Sequence, residues 1–188
     1  MPESVRDRLF QATIRCVART GLAKLRVEDV AKEARLGRAT IYRHFPGGRD
    51  QLVRETITWE VGRFFARLAQ AVEDAPDLRT RLEQGVMFAH RAMLEHEALQ
   101  RVLRTDRESF LPKLNENAPL VVALIRSYLI PYLEAEPLRP GVDAEEAADY
   151  LARMVLSYIP SGGRWDLEDP AEVRELVERQ FLSGIVAL

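Results

Sequence analysis

Between Gly37 and Phe45 the chain sets Arg38, Ala39, Thr40, Tyr42, Arg43 and His44 around a single isoleucine, Ile41. Guanidinium, hydroxyl and imidazole groups crowd into seven residues with no acidic residue among them. That mixture suits the reading of a polyanion better than the making or breaking of bonds. Arginine can pair with the two acceptors on the edge of guanine, and small methyl groups can pack on a thymine methyl. Hydroxyl and ring donors can reach phosphate oxygens, which hold a protein in register on a duplex. Arg38 or Arg43 are the candidates for guanine, Ala39 and Thr40 for a thymine methyl, and Tyr42 and His44 for phosphate. Arg49 stands just before a new helix start, where unsatisfied backbone N–H groups also favour a phosphate. Arg26 and Lys32 flank the set.

Catalytic constellations are missing from the sequence. His44, His90 and His96 form no HExxH pair, and the single cysteine, Cys16, can build neither a thiolate metal site nor an intrachain disulfide. There is no nucleophile elbow, phosphate-cradling glycine loop or paired-carboxylate motif, so the expectation is a protein that is not an enzyme and carries no cofactor or metal. Hydrophobic residues make up 47% and charged residues 30% of the 188, which excludes a disordered chain. No apolar run approaches the ~20 residues of a membrane span. The start, MPESVRDRLF, lacks the basic and apolar regions of a secretory signal. A cytoplasmic protein with no membrane partner is expected. The net charge of −2 conceals a division: residues 1–54 hold 12 Lys/Arg against 6 Asp/Glu, and the remainder holds 15 against 23. A basic head on an acidic body is the electrostatic pattern of a nucleic-acid binder.

The elements that must position these groups are helices, because apolar residues recur at helical spacing almost throughout. Ser4 and Asp7 form a capping pair for a first helix with stripe Val5, Leu9, Ala12, Cys16 and Val17, ended by Gly21. Val27–Ala34 and Arg38–His44 are two short helices meeting at a tight bend. Ile41 and Phe45, four apart, can turn inward, leaving the polar set outside. Asp50 is expected to cap a long fourth helix reaching about Asp74. Further helices are expected over Leu78–His96, Ala98–Leu103, Pro119–Leu133, Ala144–Ile159 and Pro170–Ala187, with Asp143 and Asp169 as N-caps and Pro131 kinking or ending its helix. This is an all-α chain of about nine helices: a three-helix helix-turn-helix DNA-binding domain over 1–48, then a helical regulatory and dimerisation domain over 49–188.

The segment from Val27 to Leu52, above all ATIYRHFPGGRDQL, with Gly21 and VEDVAKEA before it, resembles the TetR/AcrR family of bacterial transcriptional regulators. The resemblance covers about the first 55 residues. It implies a homodimer whose paired heads bind a palindromic operator, usually repressing genes until a small molecule binds the body. It also implies that Thr40, Tyr42 and His44, with the basic residues around them, lie on double-stranded DNA. Three positions depart from the usual pattern: Arg26 where Thr or Ser commonly caps the second helix, Arg35 where glycine stands in the bend, and Gly37 where serine caps the third helix. Arg35 needs a strained backbone if that bend keeps a positive φ.

In the body, Val173, Leu176, Val177, Phe181, Gly184, Ile185 and Leu188 form one stripe, and Ala147, Ala148, Leu151, Ala152, Val155 and Ile159 another. Two such helix pairs related by a two-fold axis make a four-helix dimer interface. Large side chains on the middle helices, namely Trp59, Phe64, Met87, Phe88, Phe110, Tyr128 and Tyr158, with Arg91 and Arg104 as polar partners, are the candidates to line a pocket for a small hydrophobic effector. The same residues can equally be plain core. A helical module binding lipid or protein, without DNA function, is the alternative reading; it explains the body but not the basic head.

Overall fold

The structure is a computed structural model that describes residues 4–187, with Ser109 and Leu114 described by backbone only. Leu188 lies outside the described residues. Among these, nine α-helices follow one another and no strand occurs: α1 (Val5–Thr20), α2 (Val27–Glu33), α3 (Arg38–His44), α4 (Gly48–Ala71), α5 (Leu78–Glu95), α6 (Glu97–Thr105), α7 (Arg107–Glu134), α8 (Ala144–Tyr158) and α9 (Pro170–Leu176). A π-helical turn, Val177–Leu182, continues α9.

The chain divides into two compact units. One comprises the residues through Phe64 together with Glu95–Asn117; the other comprises Phe65–Leu94 and the residues from Ala118 onward. In the first, the capping box of α1 is complete: the Asp7 amide donates to Ser4 Oγ at 3.1 Å and the Ser4 amide to Asp7 Oδ2 at 3.3 Å. The buried stripe of α1 includes Leu9, Ala12, Cys16 and Val17, which pack with Val30, Ile41, Phe45 and Leu52. Helices of seven residues are too short to stand alone in water. This core is therefore what holds α2 and α3, and α6 adds Ala98 and Val102 to it.

Three helix boundaries differ from the sequence reading. Asp50 lies within the first turn of α4; the helix instead starts at Gly48, and Gln51 reaches back to accept the Gly47 amide at 2.7 Å. α7 begins at Arg107 and continues through Pro112, Pro119 and Pro131, where a start at Pro119 and a break at Pro131 were expected. Proline's missing donor argues against a helix interior, but Phe110 and Asn117 are buried and Asn117 Oδ1 accepts from Thr58 at 3.3 Å, so packing overrides local preference. The last helix turns π-helical at Val177. Val173, Val177 and Phe181 are buried and recur every fourth residue, slightly more than the 3.6 of an α-helix, a spacing that a wider turn accommodates.

The second unit packs α5, α8 and α9 around Leu82, Val86, Leu151, Val173, Leu176 and Phe181. Arg81 is buried there and satisfies the carbonyls just beyond α4, donating to Val72 at 2.5 Å and Ala75 at 3.0 Å. It also donates to the Tyr128 hydroxyl at 2.8 Å and lies 4.1 Å above the Tyr132 ring. Among the described residues an isolated antiparallel bridge joins Leu138 and Val186, with the Arg139 amide donating to Ile185 and the Ala187 amide to Pro137, each at 2.8 Å.

Candidate DNA-binding surface

α3 has one anchored side. Ile41 and the capping residue Phe45 are wholly buried, and Phe45 meets the Phe10 ring edge-on at 5.6 Å. At about 100° per residue, Ala39, Thr40, Tyr42 and Arg43 fall on the side away from Ile41, while Arg38 falls on an edge. Arg38, Ala39, Tyr42 and Arg43 are exposed, and Thr40 and His44 are half-buried. Tyr42, a large ring, is 49% exposed. The side chains chosen from the sequence thus share one short, basic, outward-facing helix. Arg26, the N-cap of α2, is also exposed.

The bend between α2 and α3 is a Schellman turn. Leu36 N–H bonds the Ala31 carbonyl at 2.9 Å and Arg35 N–H bonds that of Lys32 at 3.1 Å. Arg35 occupies the left-handed position with φ 54°, so the backbone conformation that normally asks for glycine is kept with an arginine in it. Neither α2 nor α3 has a side-chain cap at its start, as Arg26 and Gly37 imply; Glu28 and Asp29 in the first turn of α2 complement its dipole instead.

Two residues that the sequence did not single out secure these helices. Arg8 donates to the Ala34 carbonyl at the end of α2, 2.7 Å away. Arg6 donates to the His44 carbonyl at the end of α3 at 3.3 Å, pairs with Glu55 and lies 4.7 Å over the Phe45 ring. Both are cations at helix C-termini, where the dipole favours them. Separations of 26 and 38 residues leave no local signal for either contact.

Arg49 is placed otherwise than as an outward cation. Its Nε donates to the Leu25 carbonyl at 3.0 Å, its Nη2 to that of Leu22 at 2.6 Å, and its Nη1 meets Asp50 at 3.1 Å. Asp106 holds the same turn from its amide side, accepting from Leu22 at 3.0 Å and Ala23 at 3.2 Å. The Thr105 hydroxyl foremost, with those two amides, holds the Asp106 carboxyl below its ordinary pKa against the opposing effect of burial. Arg15 and Arg19 pair with Glu33, and Arg38 with Glu28. At least six of the head's twelve cations therefore have partners within the unit, and the exposed basic surface is narrower than the charge count implies.

Residues 9–56 match the family described as bacterial regulatory proteins, tetR family. The match takes in α2, the bend, α3 and the first turns of α4. An uncharacterized HTH-type transcriptional regulator from Mycobacterium tuberculosis is 23% identical over 175 residues, covering 93% of this chain and 84% of the relative. Residues 9–56 are a tetR-family DNA-binding segment. The chain's class is therefore transcriptional regulation through a helix-turn-helix DNA-binding head. Among solved structures of this fold, a TetR-family regulator from Mesorhizobium loti MAFF303099 superposes with a TM-score of 0.70 at 16% identity, covering 97% of each chain. FadR from Bacillus subtilis, solved in complex with stearoyl-CoA, gives 0.62 at 18%, covering 95% of this chain and 98% of that one. At these identities the likeness is one of fold.

The pocket candidates are divided between the two units of this chain. Trp59 and Phe110 pack on the core of the first; the Trp59 indole N–H donates to Asp7 at 2.9 Å and its ring lies 5.3 Å from Phe10. Phe64 and the exposed Arg104 belong to the same unit. Met87, Tyr128 and Tyr158 are partly buried against the second core, with Phe88 half-buried and Arg91 exposed. The second unit also bears an open groove of about 460 Å³ lined by Arg126, Asp143, Glu145, Glu146 and Asp149, an acidic surface unlike the apolar lining expected. Of the candidates for a dimer contact, Ala148, Leu151, Ala152, Val173, Leu176, Val177, Phe181 and Ile185 are buried within the single chain, Val155 is half-buried and Gly184 is exposed. These helices turn Tyr150, Arg153, Ser157, Arg179, Ser183 and Gly184 to solvent. Among the described residues no helix is long and apolar enough to cross a membrane, and no group of three or more His, Cys, Asp or Glu could hold a metal ion.

Proposed function

We propose that this chain is a homodimeric, sequence-specific repressor that binds a palindromic operator and is released by a small hydrophobic effector. One observation carries the DNA-reading half: α3 is pinned by Ile41 and Phe45 and turns Ala39, Tyr42 and Arg43 outward with Thr40 half-buried beside them, within the stretch that matches the tetR family. Arg38, Ala39, Thr40 and Arg43 read base edges, and Arg26, Tyr42 and His44 hold phosphates. Residues 1–48 carry this recognition, and 49–188 carry dimerisation and regulation.

Palindromy follows from symmetry, since two heads related by a two-fold axis read two half-sites about one helical turn apart. Because the apolar faces of α8 and α9 are consumed by intrachain packing, the second copy covers their open strip. That strip includes Tyr150, whose hydroxyl donates to the Gln180 carbonyl at 2.8 Å, and the small residues Ser157, Ser183 and Gly184. The effector reading rests on the partly buried Met87, Phe88, Tyr128 and Tyr158, and on the fold shared with the stearoyl-CoA-bound FadR. An effector acts by its differential affinity for two body conformations, and the DNA affinity falls by the same factor.

The test is selection of bound duplexes from a random pool by the full chain, with sedimentation in parallel. A single enriched inverted repeat and a dimer at micromolar concentration are expected. Tyr42→Phe should weaken every duplex alike, by about three- to tenfold, because a phosphate contact carries no sequence information. Failure to enrich any motif would refute the DNA-reading proposal, and a monomer on its own would remove the symmetric half of it.

A further inference from the structure

The polar surface of α3 contains one contact that DNA binding as such does not need. Arg38, the first residue of α3, donates from Nη1 to Glu28 Oε1 at 2.9 Å, joining the recognition helix to the second residue of α2. Both side chains are open to solvent, at 65% and 54% exposure. A carboxylate beside a phosphate-facing surface is electrostatically unfavourable there, and it engages the arginine best placed on the edge of the helix.

We infer that Glu28 is a specificity-determining residue: its carboxylate orients the Arg38 guanidinium and withholds it from phosphates, releasing it to a guanine. The inference rests on the DNA-reading proposal above. Its physical basis is the difference between the two competitors. An exposed ion pair is weak, altering an equilibrium by about fivefold at most, so Glu28 cannot hold Arg38 against a bidentate partner. The acceptors of guanine supply such a partner, and a well-formed pair of this kind discriminates strongly among bases. A phosphate on random DNA competes less well, because approach to it also brings Glu28 toward the backbone charge. The carboxylate therefore suppresses the wrong complex more than the right one, which is specificity by repulsion. Geometry supports a preset rather than a locked arginine: the contact engages one Nη, and the fork of a guanidinium carries further donors. Glu28 is kept ionised for this work, its pKa lowered by its own backbone amide first and by Arg38 second.

The experiment uses the full chain as wild type, Glu28→Gln, Glu28→Ala, Arg38→Ala and the double substitution Glu28→Gln/Arg38→Ala. Each is titrated over a range of salt with two duplexes: the one enriched by the wild type from a random pool, and a scrambled duplex of equal length. Glu28→Gln and Glu28→Ala should raise affinity for the scrambled duplex about three- to tenfold at low salt. They should also steepen its log K against log salt slope by about 0.9, the increment of one more neutralised phosphate. Affinity for the enriched duplex should change about threefold or less, so the ratio between the two falls, and preference at one guanine position relaxes. In the Arg38→Ala background Glu28→Gln should leave the slope unaltered. A parallel rise on both duplexes would overturn the inference, leaving Glu28 a general repeller of DNA; no change on either would overturn it by leaving a surface pair without a role. If the wild type bound no duplex, the parent proposal would fall instead.

Discussion

Arg35 is the position at which the sequence and the backbone disagree, and the disagreement can be measured. It is the left-handed residue of the Schellman turn that ends α2, with φ 54° and a Cβ that glycine would lack. For an L-residue this conformation costs about 1–2 kcal/mol. Replacing Arg35 by glycine removes that strain but frees the unfolded chain, which costs about 0.4–1 kcal/mol in return. Arg35→Ala is the proper reference, since it removes the guanidinium while keeping the Cβ. The expected result is that Arg35→Gly is more stable than Arg35→Ala by about 0.5–1 kcal/mol, the difference of those two terms. Inside an α-helix the same comparison has the opposite sign by about the same amount, so the sign alone is diagnostic. Urea unfolding at fixed protein concentration should show the midpoint rising with an unchanged slope. The melting temperature of a chain this size should rise by about 1–4 °C. If alanine equals or exceeds glycine, the left-handed turn at Arg35 is wrong, and so is the account of how the bend orients α3.

Arg49→Ala removes the donor to the Leu22 and Leu25 carbonyls and should lower stability by about 2 kcal/mol, or about 4–8 °C in melting, with the salt slope of DNA binding unchanged. A slope reduced by about 0.9 with normal melting would instead make Arg49 a phosphate contact. Asp106 contributes in one direction of pH only. Its carboxyl is depressed in the folded chain, so its stabilisation is present above the unfolded value near 3.8 and is lost as pH falls through the folded one. Asp106→Asn should therefore show a shallower loss of melting temperature in an acid titration than wild type, and parallel curves would refute the assignment.

Much of the head was legible because its signals are local. Ser4 and Asp7 are three apart, Gly21 ends a stripe, and Ile41 and Phe45 lie on one side of a short helix; each needs only the chain's own period to be read. The same reasoning does not reach partners that are distant. Arg49 looked like an outward cation beside a helix start, but two carbonyls of the α1–α2 turn claim it. Trp59 reads as a large apolar ring, and nothing near it in the chain announces Asp7, fifty-two residues away, which accepts its indole N–H. The length of α7 was hidden by three prolines whose cost is local, while the compensating burial of Phe110 and Asn117 is not.

By itself the sequence determined the helical class, the Ser4–Asp7 cap of α1, the tight bend and the polar set on α3, because these follow from residue type and a fixed 3.6-residue period. Only the tertiary structure decided which cations face outward and which close the ends of α2 and α3. It also decided that Asp106, more than eighty residues on, holds the α1–α2 turn, and that the apolar faces of α8 and α9 are consumed within one chain. The physical reason is reach: a side chain's period is written beside it in the chain, but its partner is chosen by packing, which brings together residues that share no local pattern.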